Sequence, residues 1–199
     1  MGPRVITALV LASASPRRRE LLASLGVGLD VVVSEYEEVD TPGVQPIELA
    51  RMHARGKVLD VRARMPGRLI VAADTVVDLD GTSLGKPRNQ AEAAASLRAL
   101  SGREHRVHTA FAVADGSDVI ERTATTEVRF WPLSQEEIAE YVATGDPMDK
   151  AGAYGIQGRG AVLVERIRGD FYTVMGFPLG LFVRTLRERG IHLAGSAPS

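Results

Sequence analysis

The stretch Leu69–Pro87, LIVAADTVVDLDGTSLGKP, limits what this chain can fold into more than any other. It starts as an apolar run, meets an acid at Asp74, turns at Asp80-Gly81 and ends on Gly85-Lys86-Pro87. Read as a strand, it sends alternate side chains to opposite faces. The odd face, Leu69 to Leu79, is apolar except for Thr75. The even face carries Ile70, Ala72, Asp74, Val76, Asp78 and Asp80. Asp74 is therefore a mid-strand acid flanked by small alanines. An unpaired buried carboxylate is costly, so a cation, a metal or a cleft belongs beside it. Lys86, which follows the Asp-Gly hairpin, is placed to return near Asp74 on the neighbouring strand. The same residues also fit an ordinary buried Asp–Lys pair.

The rest of the chain supports one core. At 199 residues and 45% hydrophobic content, it fits a single domain or two small lobes. We expect one domain over 1–194 and a disordered tail, Gly195–Ser199. A net charge of −1 argues against nucleic acid as a partner, which would call for a basic stripe. The absence of cysteine removes disulfides, thiolate metal sites and thiol nucleophiles. No apolar run approaches the roughly 20 residues of a membrane span, and the N-terminal residues make a poor signal peptide. A cytoplasmic protein is the expectation. Only three of the 24 basic residues are lysine, Lys57, Lys86 and Lys150. Two of them sit in Gly-rich segments, where a compact point charge does what a planar guanidinium does not.

Val5–Leu11 reads as a buried strand. Ser15 then suits a helix N-cap and Pro16 its first position, with Arg17, Arg18 and Arg19 in the first turn. Three cations there oppose the helix dipole, so stability alone does not choose them. Together with the free N–H groups and Ser13 they form an anion site, phosphate being the natural ligand, or else a solvated basic face. Gly28–Ser34 reads as a second strand, ending in Glu35, Glu37 and Glu38. These glutamates either hold a divalent cation or are simply solvated. Pro46–Arg64 is a long helix with its apolar stripe on Ile47, Leu49, Ala50, Ala54, Val58 and Val61.

Asn89–Leu100 is a helix capped by Asn89. Arg103–Asp115 and Val119–Trp131 form a hairpin. His105 and His108, three apart on a strand, face opposite sides and do not make a metal pair. Ser134 and Glu137 form a capping box for Gln135–Ala143. Ala161–Arg168 is a further strand, and Leu179–Arg189 the closing helix. Between them, Gly145–Gly160 has four glycines in nine residues (152, 155, 158, 160), which let backbone approach a ligand closely. The same segment supplies Asp149, Lys150 and Gln157, and a glutamine amide reads a nucleobase edge by donating and accepting together.

The segments LASASPRRRELL, VAADTVV, LGKP, LSGREHRVHTA, MDKAGAYGIQGRGA and VMGFPL together resemble the Maf family of nucleotide pyrophosphatases, in register from about Leu9 to Leu186. The resemblance implies an α/β fold, a mixed twisted sheet with flanking helices and two lobes around a central cleft, akin to the inosine triphosphate pyrophosphatases. It implies hydrolysis of nucleoside triphosphates to monophosphate and pyrophosphate with a divalent cation, Mg²⁺ or Mn²⁺, and a homodimer. The family's proton acceptor falls on Asp74, its phosphate-binding positions on Ser13, Arg17, Arg18, Lys86 and Lys150, and its metal ligands on Glu38 with Asp74. Arg17, Thr75 and Gln157 match the branch acting on dTTP and UTP, where the 7-methyl-GTP branch has Trp, Gln and Glu. One departure is His53, which stands where relatives have a lysine. A nucleotide-sensing regulator of septum formation with little turnover is the alternative that the resemblance leaves open.

Overall fold

A computed structural model describes residues 4–39, 41, 43–116 and 118–194. The tail 195–199 lies outside the described residues. The N-terminal apolar run forms two strands, β1 (Arg4–Ile6) and β2 (Ala8–Leu11), followed by α1 (Pro16–Ala23), β3 (Gly28–Val31) and α2 (Pro46–Arg64). The central stretch becomes β4 (Leu69–Leu79) and β5 (Thr82–Leu84), then α3 (Gln90–Leu100). The hairpin is β6 (Glu104–Asp115) and β7 (Asp118–Phe130), followed by α4 (Gln135–Ala143). The chain closes with β8 (Val164–Arg168), α5 (Phe171–Met175), α6 (Leu179–Glu188) and β9 (Ile191–Leu193).

Among the described residues the main sheet has seven strands in the order β3-β2-β4-β6-β7-β8, with β5 also on β4. The β2–β3 and β2–β4 pairs are parallel and the others antiparallel. Three expected strands change their bounds and one unexpected helix is added. The strand expected over Val5–Leu11 breaks at Thr7, because Arg4–Ile6 leaves the main sheet to pair in parallel with the C-terminal Ile191–Leu193. The strand expected over Gly28–Ser34 stops at Val31, since beyond it the chain leaves β2 and runs along α2. The strand expected over Ala161–Arg168 starts at Val164, after a 3₁₀ segment over Gly158–Leu163. A short helix, Phe171–Met175, precedes the closing one; Asp170 caps it by accepting from Thr173 N.

The caps read from sequence are in place. Ser15 accepts from Arg18 N, Asn89 from Glu92 N, and Ser134 forms the full capping box with Glu137. The two faces of β4 take different partners, as the alternation requires. On the even face Ile70, Ala72 and Val76 pack with Leu49, Ala50, Ala54, Val58 and Val61 of α2. The odd face divides. Leu69, Val71 and Ala73 join a core with Leu21 and Leu22 of α1 and Phe182 and Leu186 of α6. Val77 and Leu79 join another with Leu97 and Leu100 of α3 and Ile138 and Val142 of α4. Thr75 is the residue between the two cores, so its hydroxyl marks the boundary of two lobes on one sheet.

Candidate active site

β4 opens the site through a gap in its own edge. On that edge β2 pairs only as far as Val71, where Ala12 N makes the last tie at 2.8 Å, and β5 does not join until Val77. Between them, among the described residues, 72–76 have a strand, β6, on one side only. A cavity of about 660 Å³ fills this gap, and Asp74 and Thr75 both line it. Most residues singled out from the sequence converge here: Ser13, Arg17, Arg18, Glu38, Asp74, Thr75, Lys86, Lys150 and Gln157 all line this one cavity, whereas Arg19, Glu35 and Glu37 do not.

The cation beside Asp74 is not the expected one. Lys86 stands exposed at the rim, because β5 pairs only along Val77–Leu79 and ends before it reaches Asp74. The ammonium of Lys57, from α2, lies 2.7 Å from Asp74 Oδ1 and 2.9 Å from Glu38 Oε1. Lys57 is 8% exposed. The helix presents it on the stripe that holds Ala50, Ala54, Val58 and Val61, and a lysine on a core-facing stripe was a signal the sequence offered. His53, the apparent departure from the family pattern, precedes it by one helical turn, so α2 still delivers an ammonium to the acid. Burial pushes the Asp74 carboxyl above its usual range, against the pull of Lys57 and Arg18. Partial burial works the same way on Glu38, but the charge and hydrogen bond of Lys57 outweigh it and hold that carboxyl below its usual range. The pair thus divides its roles: Glu38 carries charge, and Asp74 is the readier proton acceptor of the two.

The acidic loop owes its position to α2. Tyr36 Oη lies 3.3 Å from His53 Nδ1, and its ring covers Gly56, where a Cβ would come within 2.3 Å of it. Ser34 Oγ and Glu35 N both donate to Asp60 Oδ2 at 2.9 Å, and Arg64 Nη2 donates to the Val33 carbonyl at 3.0 Å. Residues 53, 56, 57, 60 and 64 lie along one side of the helix at the i, i+3, i+4 spacing. Nothing in the sequence of the loop announced this, because the partner surface is 17 to 31 residues away.

The arginine turn is divided between two tasks. Arg18 is buried. It donates from Nε to the Gly176 carbonyl at 2.9 Å and from Nη2 to Thr75 Oγ1 at 3.0 Å, with Ser13 Oγ 3.5 Å from Nη1. Arg17 reaches across the cleft to Asp149 Oδ2 at 3.3 Å, and Lys150 Nζ meets Asp149 Oδ1 at 2.7 Å. Asp149 thereby holds two cations from opposite sides of the cavity. The glycines expected to open backbone to a ligand divide: nothing lies within 4 Å of a Cβ placed on Gly158, whereas Gly155 and Gly160 are closed in. A Cβ on Gly160 would fall 2.2 Å from the Gly155 carbonyl, and one on Gly155 would fall 2.9 Å from Cε of Lys150. The space they leave is taken by the protein itself, and by the stem that aims Lys150.

Such a cavity suits a polyanion with an apolar end. The lining joins carboxylates and cations to the apolar Val77, Val107, Ile156 and Met175, with the Arg18 guanidinium on Thr75. Comparison with known proteins agrees. Residues 8–189 match the family described as Maf-like protein. The chain is 46% identical over 183 residues to a dTTP/UTP pyrophosphatase of Bacillus velezensis, covering 92% of this chain and 97% of that one. It is 50% identical over 182 residues to the dTTP/UTP pyrophosphatase of Thermus thermophilus, covering 92% and 95%. Among solved structures, the Staphylococcus aureus Ham1 protein superposes with a TM-score of 0.55 at 12% identity, over 92% of this chain and 99% of that one, a likeness of fold.

Proposed function

The chain belongs to the Maf-like protein family, and on that premise we propose that it hydrolyses dTTP and UTP to the monophosphate and pyrophosphate. The observation that carries this is the convergence in one cavity of a buried acid with a raised proton affinity, Asp74, and five cations from four distant segments: Arg17, Arg18, Lys57, Lys86 and Lys150. A triphosphate bears several negative charges in a row. Cleaving it between the α and β phosphates needs those charges neutralised and a water oriented.

Asp74 is the group we assign to that water. Its carboxylate is held by the Lys57 ammonium, which fixes its orientation and opposes the rise in proton affinity that burial imposes. Arg18, anchored to a carbonyl and a hydroxyl, presents its remaining N–H groups to phosphate oxygens as a fixed fork. Arg17 and Lys150 exchange Asp149 for phosphate as the substrate enters, and Lys86 closes the rim. Thr75 and Gln157 face the base.

The donor set also fits a divalent cation. Asp74 and Glu38 already share one positive charge, the Lys57 ammonium. Two carboxylates completed by phosphate oxygens and waters are the usual holding of Mg²⁺, or of Mn²⁺ in its place. Bound there, such an ion supplies charge neutralisation to the triphosphate.

The nucleotide-sensing and 7-methyl-GTP readings are not favoured, since the relatives compared above are named for dTTP and UTP. A cytoplasmic homodimer remains part of the proposal. In support of the setting, no helix among the described residues is long and apolar enough to cross a membrane.

The test is a panel of nucleoside triphosphates, each with magnesium or manganese, assayed separately for pyrophosphate and orthophosphate. We expect pyrophosphate with dTTP and UTP at the head of the panel. Orthophosphate release, or turnover confined to 7-methyl-GTP, overturns the reading.

A further inference from the structure

We propose that Thr109, a residue outside the cavity, makes this site select uracil and thymine over cytosine by fixing the direction of the Thr75 hydroxyl. The inference rests on the pyrophosphatase reading and deepens it.

Thr75 and Thr109 are register partners across β4 and β6. Thr109 is 0% exposed. Its Oγ1 lies 2.7 Å from the Thr173 carbonyl and 2.9 Å from Thr75 Oγ1. A carbonyl has no hydrogen, and a hydroxyl has only one. The short contact to Thr173 therefore uses the Thr109 hydrogen, and Thr109 can only accept from Thr75. The single hydrogen of Thr75 is thus spent inward. Arg18 Nη2, itself only a donor, takes one lone pair of Thr75 from the other side at 3.0 Å. What remains toward the cavity is one lone pair, an acceptor whose sense cannot be reversed by rotating the hydroxyl.

Thr75 shares the cavity with the apolar Val77, Val107, Ile156 and Met175, against which a base fits. Uracil and thymine carry an N3–H donor on their pairing edge, and cytosine carries a bare acceptor at the same atom. An acceptor-only Thr75 bonds the first and opposes the second. Gln157 does not make this distinction unaided, because its amide offers both a donor and an acceptor and turns over to suit either base. Thr109 is accordingly a positioning residue, acting on the base only through Thr75.

The test compares kcat/KM for UTP and CTP in the wild type, Thr109→Val and Thr109→Ser. The wild type prefers UTP. In Thr109→Val the Thr75 hydrogen is released, and the UTP-to-CTP ratio falls about tenfold, the weight of one hydrogen bond, with CTP gaining. Thr109→Ser keeps the hydroxyl and the ratio. A role in stability alone lowers both substrates together and leaves the ratio where it was. An unchanged ratio in folded Thr109→Val, or no UTP preference in the wild type, overturns the proposal. Should Thr109→Val not fold, Thr75→Val removes the acceptor directly; the same collapse is expected, and an unmoved ratio overturns it. A wild type that hydrolyses neither UTP nor dTTP defeats the pyrophosphatase reading, whereas turnover with an unmoved ratio defeats only this one.

Discussion

Asp74 and Asp78 lie on one face of one strand, each 7% exposed, and the chain uses them differently. Asp78 is closed in. Its Oδ1 accepts from Gly81 N at 2.6 Å, its Oδ2 faces His108 Nε2 at 3.1 Å, and His108 Nδ1 in turn meets Thr125 Oγ1 at 2.8 Å. An ionised Asp78 assigns the imidazole hydrogen to Nε2 and leaves Nδ1 to accept from Thr125. The cluster ties the β4–β5 turn to the hairpin and lies outside the cavity. Asp74 has Lys57 on one side and the cavity on the other. Burial of an acid therefore does not make a site. What distinguishes the two is that the partners of Asp78 close it off, whereas Asp74 faces the gap between β2 and β5.

The sharpest break of that comparison exchanges each acid for its amide. Asp74→Asn should lower kcat by about 10²–10⁴-fold, the usual weight of a general base, without loss of fold. Asp78→Asn should keep turnover within a few-fold and cost about 1–3 kcal/mol in a urea titration, because the His108 hydrogen bond is mismatched. Comparable turnover in both variants would remove Asp74 from its role and the contrast with it.

How far the sequence foretold this contrast follows from what each residue's partner is. Asp74 was legible because alternation along β4 is a local property, and so were Ser15, Asn89 and Ser134, whose caps lie three residues away. Lys57 was legible in principle, as a lysine on an apolar stripe, yet the Gly-rich surroundings of Lys86 drew the reading to the wrong cation. Asp78, the Tyr36–Gly56 contact and the Thr75–Thr109 pair were not legible, since each depends on register or packing between segments far apart in the chain. Thr7 ended its strand for the same reason: the partner of Arg4–Ile6 is the last strand of the chain.

Lys57→Met is expected to sharpen the difference by pH. Losing a charged hydrogen bond should cut kcat/KM about ten- to a hundredfold. Burial raises the Asp74 carboxyl and Lys57 opposes the rise. Without Lys57, Asp74 takes its proton at a still higher pH, so the acid limb of kcat/KM moves upward. The sign for stability is the reverse of that for an ordinary paired acid. With its native affinity raised, Asp74 binds protons in the folded state at pH values where the unfolded chain has released them, so its contribution falls as pH rises through that window. Asp74→Asn should therefore melt no lower than the wild type at neutral pH. A clear drop in its midpoint, or an acid limb that Lys57→Met leaves in place, contradicts the assignment.

The smallest effect tests whether the Asp74 side depends on its strap. Gly56 sits in mid-helix, where alanine is normally worth up to about 1 kcal/mol in helix stability. Here a Cβ would meet the Tyr36 ring at 2.3 Å, and the ring is held in place by His53 on the same helix. The loop must yield, and Glu38, two residues along, moves with it away from Lys57. Gly56→Ala should leave α2 intact by circular dichroism and raise the Mg²⁺ concentration for half-maximal turnover a few-fold. It should leave Asp78 and its hairpin untouched, as read by an unchanged urea midpoint. A metal requirement equal to that of the wild type would mean that Glu38 finds its place without Tyr36, and that the acid pair depends on the ammonium of Lys57 alone.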